Sequence, residues 1–183
     1  MIILASSSLA RKKILQDFRI EFTQKQVDFD EDSLKEINPK SFAYKACIGK
    51  LEVAIKTLGL DIPILVADSV VCVNNQLQRK PKNLSEIKNM LDTQNNNTIH
   101  IITAQILKSH HIELCDISQT SFVLKTFDPK DMQDYIDSNL WRDKAGGIMT
   151  EGFHSKYFVK QIGLSSTAMG LSIEKFLPFF EII

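Results

Sequence analysis

Cysteines are scarce and unpaired in this sequence: Cys47, Cys72 and Cys115 stand far apart, with no CxxC spacing. That argues against a zinc site or a disulfide framework and suits a reducing cytoplasm. Net charge is missing too, because 22 Lys and Arg balance 22 Asp and Glu. No global field favours nucleic acid or an anionic membrane, so any anion site must be built locally. No apolar run approaches the roughly 18 residues of a membrane span. Met1 to Ala5 is apolar but too short for a signal-peptide core, and Arg11, Lys12 and Lys13 fall on the wrong side of it. GxxxxGK(S/T), GxGxxG and HExxH are all absent, and His100, His110, His111 and His154 suggest no triad. Repeats, low-complexity tracts and linkers are missing as well. What remains is a chain of 183 residues with 44% hydrophobic content, enough to bury a substantial core. The expectation is a soluble cytoplasmic protein folded as a single domain over residues 1–183, with no nucleic-acid or membrane partner.

Strands and helices alternate early, an α/β pattern. Ile2 to Ala5 reads as a buried strand, and Ser6, Ser7 and Ser8 can cap a helix from Leu9 to Phe18. A second helix runs from Lys40 to Leu58, with Phe42, Ala43, Ala46, Cys47, Leu51, Ala54 and Ile55 at helical spacing and Gly59 at its end. Asn74-Asn75 is a hairpin signal leading into Gln76 to Lys80. Asn83 and Glu86 form a capping-box pattern before Ile87, Met90 and Leu91. Thr98 to Leu107 and Ile117 to Leu124 read as paired strands, Asp128-Pro129 as a helix start. A last helix is expected near Ser172, ended or kinked by Pro178.

One residue interrupts the most apolar run in the chain. Ile64-Leu65-Val66-Ala67 leads into Asp68, and after Ser69 the run resumes as Val70-Val71-Cys72-Val73. Such a run, without polar alternation, reads as a strand covered on both faces. An ionised carboxylate there is costly unless cations, a metal or hydrogen bonds receive it. Asp68 is therefore either a structural cap at a strand end or a catalytic or metal-binding group.

The cations that could receive it are visible. Ser7, Ser8 and Arg11 at a helix start can hold a phosphate, although serines there are also ordinary caps. On a wheel of about 100° per residue, Lys45, Gly49, Glu52 and Lys56 share a polar sector. Lys50 falls instead between Ala46 and Ala54, toward a cleft. Lys80 is restricted by Pro81. Asp28, Asp30, Glu31 and Asp32 crowd one loop, where a carboxylate could hold Mg²⁺ against a substrate phosphate. Lys144-Ala145-Gly146-Gly147 either lets the backbone approach a ligand or is a plain turn, and Glu151 follows.

Taken in order, these segments resemble the Maf family, the septum formation inhibitors read as nucleoside triphosphate pyrophosphatases. Leu4-Ala5-Ser6-Ser7-Ser8-Leu9-Ala10-Arg11 is similar to the opening of its LASxSPRRxxLL motif, Asp30-Glu31 to its acidic pair, and Lys50 to the lysine of its KA helix. Ala67-Asp68-Ser69-Val70-Val71 is similar to (A/S)DTVV, Lys80-Pro81 to GKP, Ala145-Gly146 with Glu151-Gly152 to AGxxxxQG, and Gly170-Leu171 to GLP. The resemblance implies an ITPase-like fold, an elongated mixed sheet flanked by helices with two lobes around a central cleft. It implies hydrolysis of a nucleoside triphosphate to monophosphate and pyrophosphate, with a divalent cation (Mg²⁺, Mn²⁺ or Co²⁺). Asp68 would be catalytic and, with Glu31, metal-binding; Ser8, Arg11, Lys50, Lys80 and Glu151 would bind substrate. A homodimer is one assembly it allows.

Departures are Leu9 and Ala10 for Pro and Arg, Arg79 for Gly, Glu151 for Gln, and Ser172 for Pro. Of the family's two subgroups, one prefers dTTP, UTP and modified pyrimidine nucleotides, the other 7-methyl-GTP; Thr150-Glu151-Gly152 looks more like the second. The alternative is a non-catalytic nucleotide- or protein-binding regulator of septum formation.

Overall fold

The apolar run around Asp68 becomes the middle of a seven-stranded mixed sheet in the computed structural model, which describes residues 1–181. The strands are β1 (Ile2–Ala5), β2 (Phe22–Lys25), β3 (Ile64–Val73), β4 (Gln76–Gln78), β5 (Thr98–Lys108), β6 (Glu113–Leu124) and β7 (Phe158–Ile162). Their order is β2-β1-β3-β5-β6-β7, with β4 also on β3. β1 runs parallel to β2 and β3, and the remaining pairs are antiparallel. All of β3 but Ser69 is buried, which is why its sequence shows no alternation.

The helices begin where caps were expected. Ser8 caps α1 (Leu9–Asp17), Asn83 caps α3 (Leu84–Gln94) and Asp128 caps α4 (Pro129–Asp137), each accepting from a backbone N–H of the first turn. Asn38 caps α2 (Pro39–Leu58), and α5 (Ser165–Ala168) is a single turn. β3 sends alternate residues to two layers. Ile64, Val66, Val70 and Cys72 pack with α2. Leu65 and Ala67 pack with α1 and the turns near Leu171, while Val71 and Val73 pack with α3, α4 and Trp141. One face thus carries one cluster and the other carries two, with Ser69 between them.

That division opens a cleft, because the sheet is split at the same place. β1 pairs with β3 only through Ile3↔Ile64 and Leu4↔Leu65, and β4 takes up pairing at Val71, Cys72 and Val73. Neither runs beside Val66 to Val70, so the chain leaving β1 at Ala5 turns into Ser6–Ser8 along an open strand edge. Crevices beyond the carboxyl ends of parallel strands are the usual ligand sites of open sheets.

Three expectations are corrected. Gly49 does not lie on a polar face: it is buried, and a Cβ there would run into the Phe29 ring. The loop after β2 folds back over α2, which no wheel can show. The last segment is not one helix but two 3-10 turns, Ile173–Lys175 and Leu177–Phe179. Pro178 lacks the N–H a helix would need, and Gln105 holds the Ser172 carbonyl at 2.8 Å. β6 also starts at Glu113, earlier than its apolar half suggests, because Lys108↔Glu113 extends the hairpin with β5.

Beneath the turn that carries Gly146 and Gly147 lies a fully buried His154. Its ring meets Phe127, Tyr135 and Phe153 edge-on, at centroid distances of 5.9, 5.7 and 4.9 Å. Nδ1 accepts from Met149 N–H at 3.1 Å, so the ring proton sits on Nε2 and is donated to Gln94 Oε1 at 2.9 Å. Burial without a carboxylate partner pushes its pKa from 6.5 down to about 3. The unfolded chain takes up this proton first, so the stabilisation is complete above pH 6.5 and is lost as pH falls toward 3. By urea unfolding, the stability gap between wild type and His154→Gln should narrow by about 2 kcal/mol from pH 8 to pH 5. A gap independent of pH would contradict this.

Candidate active site

The split in the sheet opens onto a cleft of about 770 Å³, lined by Ser6–Ser8, Arg11, Phe29, Glu31, Lys50, Asp68, Ser69, Lys80 and the segments 143–145, 148–151 and 168–170. Ser8, Arg11, Glu31, Lys50, Asp68, Lys80 and Glu151 all line it. Residues far apart in sequence meet here because strand, loop and helix converge on one edge of β3.

Asp68 is 4% exposed and points to the α2 side of β3. Lys50, one turn beyond Ala46 on α2, reaches across and donates to Asp68 Oδ1. The same ammonium lies 2.6 Å from Glu31 Oε1. One lysine therefore serves two carboxylates. Burial works against its charge, but Asp68 and Glu31 together outweigh it and hold the ammonium above the ordinary lysine range. Burial also opposes the charge on Glu31, yet Lys50, Lys80 and Arg79 prevail, and Glu31 stays ionised below the usual carboxylate range. For Asp68 burial is the largest influence and wins, with the Glu31 charge adding to it, so its pKa is raised despite Lys50. Two carboxylates with pKa values driven apart divide naturally into a permanent anion and a proton acceptor.

Asp68 Oδ2 is buried and has no hydrogen-bond partner. Such an atom needs water, a cation or substrate to complete it. Together with Glu31 it suits a cation such as Mg²⁺, which takes one or two carboxylates and fills its remaining positions with water and phosphate oxygens. Among the described residues no group of three or more His, Cys, Asp or Glu is arranged to hold a metal alone. Behind Asp68, the Cys47 Sγ–H donates to Val66 O at 3.7 Å. Burial pushes that thiol up to about 12, so it is not a nucleophile.

Glu31 owes its position to packing. The Phe29 ring occupies the space a Cβ on Gly49 would need, one residue before Lys50, and so sets the loop over α2. Asp32 is paired with Arg79, whose guanidinium stands 5.0 Å over the Phe42 ring. The acidic loop and the Lys80 strap are thereby fastened together. Lys80 makes no ion pair among the described residues.

Arg11 occupies the opposite wall. Its Nε donates to Gly170 O at 2.8 Å, Nη1 to Ser6 Oγ at 3.1 Å and Nη2 to Ser69 Oγ at 3.3 Å. No carboxylate lies within ion-pair distance of it among the described residues. Burial lowers its pKa, opposed by the more distant charges of Asp68 and Glu31. A half-buried guanidinium with neutral partners is an anion site. Ser8 spends its hydroxyl on the helix cap, accepting from Arg11 N–H at 3.3 Å, and of the three loop serines Ser6 is the one bonded to the guanidinium. Gly146 and Gly147 do not face the cleft; they are buried against Val71 and Ile87. Glu151 is exposed on the rim, beside Met149.

Sequence reasoning assigned no role to Ser69 or Phe29, read Ser6 only as a candidate helix cap, and placed Asp32 only among four loop acids of which one could hold Mg²⁺. Ser69 carried a usable signal: in a strand, the neighbour of Asp68 must face the other way. The remaining contacts are long-range and leave no local pattern.

The profile of the family described as Maf-like protein matches residues 1–181. The nucleoside triphosphate pyrophosphatase of a Nitratiruptor species is 45% identical over 177 residues, 96% of this chain and 96% of that protein. That of Helicobacter pylori (strain Shi470) is 43% identical over 181 residues, 99% of this chain and 95% of that protein. Among solved structures the Ham1 protein of Staphylococcus aureus overlaps loosely, with a TM-score of 0.46 at 13% identity, covering 86% of this chain and 93% of that one.

Proposed function

The chain belongs to the Maf-like protein family, and we propose that its cleft hydrolyses a nucleoside triphosphate to the monophosphate and pyrophosphate. Its relatives are nucleoside triphosphate pyrophosphatases, which makes it a hydrolase of a nucleotide phosphoanhydride bond. The observation that carries the site assignment is the unpartnered Oδ2 of Asp68, a residue that lines one cleft with Arg11, Lys50 and Lys80.

In this reading water attacks the α-phosphorus, the bond from that phosphorus to the bridging oxygen breaks, and pyrophosphate leaves. Asp68 is the carboxylate that receives the water's proton. Phosphoryl chemistry depends mainly on positioning and charge neutralisation. Arg11, Lys50 and Lys80 surround the triphosphate with positive charge, and the N–H groups of the Ser8-capped helix start add to it. Glu31 and Asp68 are the carboxylates that would hold a divalent cation (Mg²⁺, Mn²⁺ or Co²⁺), which when bound neutralises phosphate oxygens. The cleft lining also includes the apolar Ile148, Met149, Ala168 and Met169, which suit a base. Asp143 and Glu151 line the cleft as well, so a base that is cationic or rich in N–H donors, as 7-methylguanine is, fits better than that of dTTP or UTP.

With one of these cations present, the protein should release pyrophosphate from at least one nucleoside triphosphate in a coupled assay. Orthophosphate alone, or no turnover across standard and modified nucleotides, would refute the activity. Asp68→Asn should remove most turnover and leave circular dichroism unchanged, whereas near-wild-type turnover would make Asp68 merely structural. Lys50→Ala and Lys80→Ala should lower kcat/KM by about tenfold to over a hundredfold, the loss of a charge-assisted hydrogen bond. Lys45→Ala and Lys56→Ala, exposed on the same α2, should be nearly silent. Equal losses at Lys45 and Lys50 would contradict the cleft assignment.

A further inference from the structure

Hydrogen positions behind Arg11 can be assigned from the heavy atoms alone. Thr103 Oγ1 lies 2.8 Å from Thr167 O, and a carbonyl only accepts, so the threonine's single hydroxyl proton goes there. Ser69 Oγ lies 2.8 Å from the same Thr103 Oγ1, whose proton is already used, so Ser69 must be the donor. Toward Arg11 Nη2, at 3.3 Å, Ser69 is then an acceptor. The result is a chain of one polarity: Arg11 N–H to Ser69, Ser69 O–H to Thr103, Thr103 O–H to a backbone carbonyl. Each link polarises the next. Thr103 and Thr167 are 0% and 1% exposed, so no water competes for these protons.

The chain ends on the turn that also holds Arg11 directly. Gly170 O accepts from Nε, and Gly170 N–H donates to Thr167 O at 3.0 Å. Gly170 has φ +101°, and a Cβ there would lie 3.2 Å from both Arg11 Nε and Ser69 Oγ, so only glycine lets the turn come this close. Arg11 is gripped at Nε, Nη1 and Nη2, one N–H of each, leaving two of the roughly five guanidinium N–H donors for a ligand in the cleft.

We infer that Thr103 is a positioning residue: through Ser69 it fixes the plane of the Arg11 guanidinium so that its two remaining N–H groups face the triphosphate. This rests on Arg11 being a triphosphate anchor. Thr103 lies at the centre of β5, two bonds from that anchor, where its side chain touches no substrate.

The test is steady-state kinetics with a nucleoside triphosphate the wild type turns over. Thr103→Val keeps the shape and removes the hydroxyl. It should raise KM about tenfold, with kcat within about twofold, as expected when a guanidinium loses its fixed orientation. Thr103→Ser should restore KM. In an Arg11→Lys background Thr103→Val should add nothing, because the lysine cannot make the gripped fork. Should Thr103→Val not fold, Ser69→Ala cuts the same chain one link nearer and is read the same way. A fall in kcat at unchanged KM, or a loss that multiplies with Arg11→Lys, overturns the role of Thr103 and leaves the anchor intact. An Arg11→Lys enzyme with wild-type KM overturns the anchor, and this inference with it.

Discussion

Lys50 shared between Asp68 and Glu31 is the interaction around which the rest of the molecule is arranged. A carboxylate on a strand buried on both faces is unfavourable by several kcal/mol unless a charge meets it. The lysine supplies that charge, but only by being buried itself. Pairs of this kind add little net stability, and apolar replacements often do as well. Their presence here is explained by what they leave unsatisfied: one buried oxygen of Asp68, a residue that lines the cleft.

Strand periodicity links the two halves of the site. Asp68 faces α2, where Lys50 and Glu31 meet it, and Ser69 faces the opposite layer, where Arg11 and Thr103 meet it. Two consecutive residues of β3 thus carry the acidic and the basic walls. The arrangement works only because β3 has no partner beside Val66 to Val70 on one edge, so both walls open into the same space.

Much of this was legible in the sequence because local physics writes local patterns. The apolar run of β3, the caps at Ser8, Asn83 and Asp128, and the place of Lys50 between two alanines all follow from period and capping chemistry. Gly49 was misread because its neighbour, Phe29, comes from a loop twenty residues earlier, and a helical wheel contains only the helix. The C-terminal turns were misread because a side chain of β5 holds the Ser172 carbonyl, a contact with no local signature. The grip on Arg11 was invisible for the same reason: Gly170 is 159 residues away.

The most direct measurement is a crystal structure of the wild-type protein with Mg²⁺ and a nucleoside triphosphate whose α,β-bridging oxygen is replaced by methylene, which cannot be cleaved there. The account predicts the triphosphate among Arg11, Lys50 and Lys80, with Asp68 Oδ2 contacting the ion or a water in line with the α-phosphorus. A triphosphate bound elsewhere, or an Asp68 sealed from it by protein, would contradict the account.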